Sequence, residues 1–270
     1  MKNMIDIKEN ERLSVMNHSC AHMMAQAVKR LYPNAKFWVG PVISEGFYYD
    51  IDLGDEVIRD EDLPKIEKEM KKIAKDGKRI VRKEISKAEA LEMFKDDPYK
   101  IDLIQDLEDG NITCYQQGEF IDLCRGPHVD TVKELKNFKL LKHSGAYWKG
   151  DANNKMLQRI YGVCFETKEE LEEHLNLLEE AKKRDHKKIG RELGLFMMSE
   201  YAPGMPFFLP NGMIIRNLLE NFWYEEHTKE NYKFIKTPIM MSKELWEVSG
   251  HWENYKENMY TTMVDDREFA

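Results

Sequence analysis

Between Ser14 and Leu31 the apolar residues Ala21, Met24, Val28 and Leu31 recur every three to four positions, and Pro33 closes the stretch. The segment is therefore predicted to be an amphipathic helix with one face committed to a core. His18 and His22 lie beside that stripe, four residues apart, so their side chains leave the same side of the helix about one turn from each other. The same separation returns far along the chain at Cys124 and His128, inside Leu123-Cys124-Arg125-Gly126-Pro127-His128, where Gly126 and Pro127 imply a tight loop. Two such pairs from distant segments carry more weight than either alone.

Four nitrogen and sulfur donors suit two uses. They can form a tetrahedral zinc site, or the imidazoles can position and polarise a water for hydrolysis. The alternative is that His18 and His22 merely border a packed helix. Cys20 and Cys164 lack comparable partners and read as small apolar core residues.

The remaining pattern is α+β. The run FWVGPVISEGFYYDID, residues 37–52, is aromatic and β-branched, predicting two strands meeting near Ser44 to Gly46, with Tyr48 and Tyr49 on opposite faces. Helices are expected over Leu63 to Lys75, with Gly77 just past the end, and over Lys87 to Phe94, with a Ser86/Glu89 capping box. Arg79 to Ile85 alternates as a strand. Short strands of a compact antiparallel sheet should fill Ile112 to Cys164. A single helix is expected from Lys168 to Leu195, Glu-rich at its start and basic in KKRDHKKIGR. Leu209 to Gly212 carries turn chemistry before a helix whose Ile214, Ile215, Leu218, Leu219, Phe222 and Trp223 form a broad apolar face. A strand from Tyr232 to Ile239, containing Pro238, and a short helix from Lys243 to Val248 complete the pattern.

At 270 residues the chain is long enough for two domains. With 42% apolar and 33% charged residues it is neither disordered nor fibrous. A net charge of -8 excludes a globally basic nucleic-acid coat but not a local basic groove. Four cysteines and a start without an apolar signal region point to reduced thiols in the cytoplasm, and no apolar run reaches the ~18 residues that span a bilayer.

The wording around these features resembles a known family. HSCAH with AQAVKRLYP, FWVGPVISEGFYYDID, IDLCRGPHV and SGAYWKGDANNKMLQRIYG are similar, in order, to the editing domain of bacterial-type threonyl-tRNA synthetases. AKKRDHKKIGRELGLF, PGMPFFLPNG and YKFIKTPIMMSKELWEVSGHWENYKENMY resemble that family's linker helix and the opening of its class II catalytic domain, including motif 1. The resemblance implies an editing domain of antiparallel sheet and helices over 1–167, a linker helix over 168–195, and an incomplete catalytic domain over 196–270.

It also implies a chemistry. A threonine site must reject serine, and one methyl group is worth only ~1 to 3 kcal/mol of discrimination, so the family hydrolyses mischarged seryl-tRNA(Thr) at a second site. By resemblance His18, His22, Lys100, Asp122, Cys124 and His128 would be catalytic, with Tyr49 binding substrate in the same pocket. His18 is expected to orient or deprotonate the attacking water, a role that neutral imidazole with its pKa near ~6.5 suits. Lys100 is expected to stabilise the oxyanion or the terminal ribose and phosphate, and Asp122 to hold the serine ammonium or hydroxyl. Lys142, Lys149 and Arg159, among Tyr147 and Trp148, suit a grip on a single-stranded CCA end. The plain readings are a solvated lysine at 100, a turn acid at 122, a core ring at 49 and a solvated strand edge over an aromatic core.

Alanyl-type relatives carry the same donor set with zinc, whereas threonyl-type editing works without it. No cofactor is therefore expected for editing, although the donors permit zinc. A full-length member would use ATP, magnesium and a zinc bound beyond residue 270, and none of those elements is visible before Ala270. Aminoacylation is accordingly not expected of this chain. The family's ubiquitin-like N-terminal domain and its anticodon-binding domain are not expected either. Met213 to Met240, with Pro238 as the motif proline, would build a homodimer. Expected partners are tRNA(Thr) and Ser-tRNA(Thr), with no membrane. A free-standing trans-editing deacylase and a non-catalytic tRNA-binding or dimerisation module are the alternative readings.

Overall fold

The structure is a computed structural model describing residues 5–108, 110 and 112–270. It divides into two compact units, one reaching to Arg184 and one from Asp185 to Ala270.

The first unit is organised by α1 (Glu11–Leu31), longer by a turn than its apolar stripe, because the Asn10 side chain caps it by accepting the Leu13 N–H at 3.0 Å. One face of α1 buries Met16, Cys20, Met23, Met24, Ala27 and Val28 against a five-stranded antiparallel sheet. That sheet comprises β1 (Lys36–Phe37), β2 (Val42–Ile43) and β3 (Gly46–Asp52), completed by two longer strands further along the chain. The β2–β3 turn falls at Ser44-Glu45, as the sequence predicts, and alternation along β3 buries Tyr49 while leaving Tyr48 half-buried. Glycine is required at the hairpin's end. Gly46 has φ 143°, and a Cβ there would stand 2.2 Å from the Gly162 carbonyl oxygen. Helix α2 (Leu63–Asp76) packs Ile66, Met70 and Ile73 into the same core and ends at Gly77 in the left-handed conformation.

A smaller lobe follows. Strand β4 (Ile80–Ile85), helix α3 (Lys87–Met93) with its Ser86/Glu89 capping box, and helix α4 (Pro98–Gln105) join β5 (Ile112–Gln117) and β6 (Phe120–Leu123) in a three-stranded antiparallel sheet, order β4-β5-β6. Its own core is Ala90, Phe94, Ile104, Ile112 and Cys114. The chain then returns to the large sheet as β7 (Asn137–Tyr147) and β8 (Met156–Phe165), giving the order β1-β3-β8-β7 with β2 on β3. Cys20 and Cys164 are both fully buried in the main core.

The helix expected from Lys168 to Leu195 is two helices. Helix α5 (Lys168–Lys183) starts with a Thr167/Glu170 capping box and packs Leu171 against Val163 and Phe165. Helix α6 (His186–Glu192) starts anew because the Asp185 carboxylate accepts the Lys187 N–H at 2.8 Å, a local bond that competes with continuing the helix.

In the second unit, β9 (Phe196–Met197) pairs with β10 (Phe207–Phe208), and α7 (Pro210–Lys229) follows immediately. Leu209 to Gly212 is thus the helix start rather than a turn, Pro210 occupying the first turn where no amide partner is needed. The apolar face of α7 is exposed at Ile214, Leu218, Leu219 and Phe222. Tyr232 to Ile239, expected as a strand, pairs with no strand among the described residues, and Pro238, which has no N–H to give a ladder, is exposed within it. Helices α8 (Lys243–Val248) and α9 (His251–Tyr255) lead to the hairpin β11 (Thr262–Val264) and β12 (Arg267–Phe269). Among the described residues no helix is long and apolar enough to cross a membrane.

Candidate functional site

The imidazoles of α1 and the loop after β6 meet at one point. His18 Nε2 and His128 Nε2 each stand 3.2 Å from Cys124 Sγ, and the Gly126 N–H donates to the same sulfur at 3.2 Å. The four donor atoms of His18, His22, Cys124 and His128 lie within 4.8 Å of one another. The i,i+4 spacing puts the His18 and His22 rings edge to face at 5.2 Å, and the loop brings His128 within 4.4 Å of one and 4.5 Å of the other.

Ser19 sets the tautomer of His128. Its hydroxyl is spent on the Val15 carbonyl at 2.8 Å, so Oγ can only accept from the Val129 N–H at 3.0 Å and from His128 Nδ1 at 3.0 Å. His128 therefore carries its proton on Nδ1 and presents a lone pair at Nε2. The His18 ring donates to the Pro127 carbonyl, which leaves the Nε2 that faces Cys124 without a proton. Two such Nε2 atoms converge on a sulfur that has at most one proton, so a proton-accepting lone pair remains available beside Cys124.

Burial decides the charge states. It lowers the His18 imidazole below its ordinary value and lowers His22 well below it. It takes His128 down to about 2, with neighbouring imidazoles adding to the effect on His22 and His128. All three rings are neutral bases at pH 7. Burial also pushes the Cys124 thiol up to about 12, leaving it protonated unless a cation displaces that proton.

Next to this cluster lies a buried ion pair. The Lys100 ammonium donates to Asp122 Oδ1 at 2.6 Å, to the Trp38 carbonyl at 2.9 Å and to the Tyr49 hydroxyl at 3.2 Å, using all three of its protons. Asp122 Oδ1 also accepts the Leu123 N–H at 2.8 Å, and its Oδ2 accepts a short bond from Tyr49. Lys100, Asp122 and Tyr49 are 3%, 1% and 1% exposed, so the network is both desolvated and fully partnered, the condition under which a buried pair is tolerated.

A cleft of about 460 Å³ opens over these groups. His18, His22, Tyr49, Lys100 and Cys124 line it, with Trp38, Leu103 and Thr113 as further walls. His128 and Asp122 stand behind that lining, the first against Cys124 and Ser19, the second against Lys100. Lys142, Lys149 and Arg159 lie outside it. Lys142 rests 4.7 Å over the Tyr161 ring, Arg159 is bidentate to Asp50 at 2.6 and 2.8 Å beneath Tyr48, and Lys149 bonds Asp102 at 2.8 Å. Pro238 belongs to the second unit. Ser19, Trp38 and Thr113 escaped the sequence reading. Ser19 follows His18 directly, but nothing in its spacing distinguishes it from any helical serine.

Residues 112–161, from β5 through most of β8, match the family described as the threonyl and alanyl tRNA synthetase second additional domain. The threonine–tRNA ligase of Desulfatibacillum aliphaticivorans is 55% identical over 98% of this chain and 42% of its own length. That of Clostridioides difficile (strain 630) is 54% identical over 99% and 42%. A crystal structure of the RNA binding domain of threonyl-tRNA synthetase from Cryptosporidium parvum Iowa II is 37% identical over 32% of this chain and 22% of that one, with a TM-score of 0.31, too low to bear on the fold. The chain thus spans about two-fifths of the length of the curated relatives it matches, and over nearly all of its own length it belongs with the threonyl-tRNA synthetases.

Proposed function

We propose that the first unit hydrolyses the ester of mischarged seryl-tRNA(Thr), the proofreading half of a threonine–tRNA ligase. The observation that carries this reading is the unspent imidazole lone pair beside Cys124, at a cleft that His18, Lys100 and Tyr49 line together. His18 lines that cleft and is neutral, so its Nε2 accepts a proton from a water that attacks the ester carbonyl. The proton then passes to the departing ribose oxygen. Lys100 supplies positive charge toward the developing oxyanion. Asp122 stands behind the lining with its oxygens occupied, which favours a role in holding Lys100 and Tyr49 over direct capture of the serine ammonium.

The test is a deacylation time course with Ser-tRNA(Thr) and the 270-residue chain. His18→Ala is expected to slow it by about 10²-fold, the usual worth of a positioned general base. Hydrolysis unchanged in that variant would refute the assignment.

The donor spacing supports a second reading, in which His18, His22, Cys124 and His128 hold zinc. Four protein donors would complete a tetrahedral shell and leave no position for water, so zinc there would tie α1 to the loop after β6 rather than perform hydrolysis. We favour editing without metal. Elemental analysis of the purified chain, with deacylation measured before and after chelation, separates the two.

In the complete protein this unit would accompany ATP-dependent joining of threonine to tRNA(Thr) in a cytoplasmic class II enzyme using magnesium and a further zinc. The exposed face of α7 would build its homodimer. Aminoacylation is not proposed for this chain alone.

A further inference from the structure

We infer that the tip of the β7–β8 hairpin, Trp148 to Gly150, is a positioning device for Lys100 rather than a grip on RNA, an inference that rests on the deacylation proposed above. Helix α4 presents different faces in different directions. Lys100 and Leu103, three apart, face the cleft, whereas Tyr99 and Asp102, also three apart, face the hairpin tip. On that second face the Trp148 ring meets the Tyr99 ring edge to face at 5.3 Å, and the Lys149 ammonium bonds Asp102 at 2.8 Å. The Tyr99 hydroxyl donates to Asp52 at 2.6 Å, and Lys155, just past the tip, bonds the same carboxylate at 2.7 Å.

The backbone adds an independent observation. Lys149 adopts φ 56°, ψ 16°, a left-handed conformation that glycine enters freely and other residues enter at a cost. A lysine at this position keeps a side chain where the backbone favours none, and that side chain is spent on α4. Its ammonium lies 5.1 Å over the neighbouring Trp148 ring as well, so the charge is already engaged from two directions.

Helix α4 needs such anchoring. It has eight residues, too few for an isolated helix to persist in water, and it carries Lys100, the cleft-lining ammonium that bonds both Tyr49 and Asp122. Asp97 pins its start by accepting the Phe37 N–H at 2.9 Å, and the hairpin tip pins its middle. Releasing the tip lets Lys100 drift from the position an oxyanion would occupy, which lowers turnover while leaving ground-state binding intact.

The experiment is steady-state deacylation of Ser-tRNA(Thr) by the 270-residue chain carrying Lys149→Gly, which also removes the left-handed strain, Asp102→Asn, or the exchange Lys149→Asp with Asp102→Lys. Either single variant is expected to lower kcat by about 3- to 10-fold with KM within twofold of the parent and the melting temperature held, and the exchange to restore most of kcat. A raised KM at unchanged kcat, with a shallower salt dependence of tRNA binding, would overturn the inference and return Lys149 to phosphate contact. A parent chain that releases no serine would instead overturn the proposed function, so the two failures are distinguishable.

Discussion

Lys100 has three protons and three acceptors, and Asp122 accepts on both oxygens, so neither has an unmet bond in the interior they share. The cost of disturbing such a pair is asymmetric. Lys100→Met strands a buried carboxylate and is expected to cost about 3 to 5 kcal/mol in urea denaturation, whereas Lys100→Met with Asp122→Leu should cost clearly less. Equal losses would show that the pair is more hydrated than its burial indicates. His174 offers a second residue-scale test. It is 4% exposed against the Phe165 ring, its Nε2 is buried without a hydrogen-bond partner among the described residues, and burial lowers its imidazole below the ordinary value, with Glu45 opposing only in part. A depressed imidazole binds fewer protons folded than unfolded, so stability is full above the unfolded pKa near ~6.5 and is lost as pH falls below it. His174→Phe should make the unfolding free energy less steep in pH between 7.5 and 5, by at most ~1.4 kcal/mol per pH unit. An unaltered slope would mean that His174 titrates normally.

At the scale of elements, α4 shows both the reach and the limit of reading this chain as a sequence. The long helices α1, α2 and α7 announced themselves because each repeats its apolar spacing over several turns, and the donor quartet could be assembled from two i,i+4 pairs. Helix α4 has no such repeat. Asp97-Pro98 is a good start signal, but eight residues give periodicity little room, so Lys100 entered only through family resemblance and its anchoring to the hairpin was invisible. The split at Asp185 was hidden for a related reason: charge runs on smoothly through KKRDHKKIGR while a single side-chain bond ends one helix and begins another. Asp97→Ala tests the dependence of α4 on its cap. The Asp97 carboxylate accepts the Tyr99 N–H at 3.1 Å and the Phe37 N–H at 2.9 Å, so its loss is expected to cost about 1 to 2 kcal/mol. Amide hydrogen exchange across 98–105 should rise well before that across α1. Uniform acceleration over both helices would instead mark α4 as part of one cooperative unit with the main core.

For the whole molecule, the distribution of buried apolar residues matters most. Among the described residues the three hydrophobic clusters draw on residues no later than Leu175, all within the unit that ends at Arg184, whereas the second unit exposes Ile214, Leu218, Leu219, Phe222, Ile235 and Ile239. A unit that closes its own core should fold without the remainder, and contiguous exposed apolar surface promotes association. A chain cut after Arg184, between α5 and α6, removes no residue of those clusters and breaks no capping box. It is expected to melt cooperatively within a few degrees (~2 to 4 °C) of the first transition of the 270-residue chain and to remain monomeric at concentrations where the longer chain self-associates. If editing is the function of this unit, the shortened chain should also retain deacylation at close to the parent rate. A shortened chain that melts without cooperativity would mean that residues beyond Arg184 complete the core, and one that melts normally but has lost deacylation would place part of the substrate grip in the second unit.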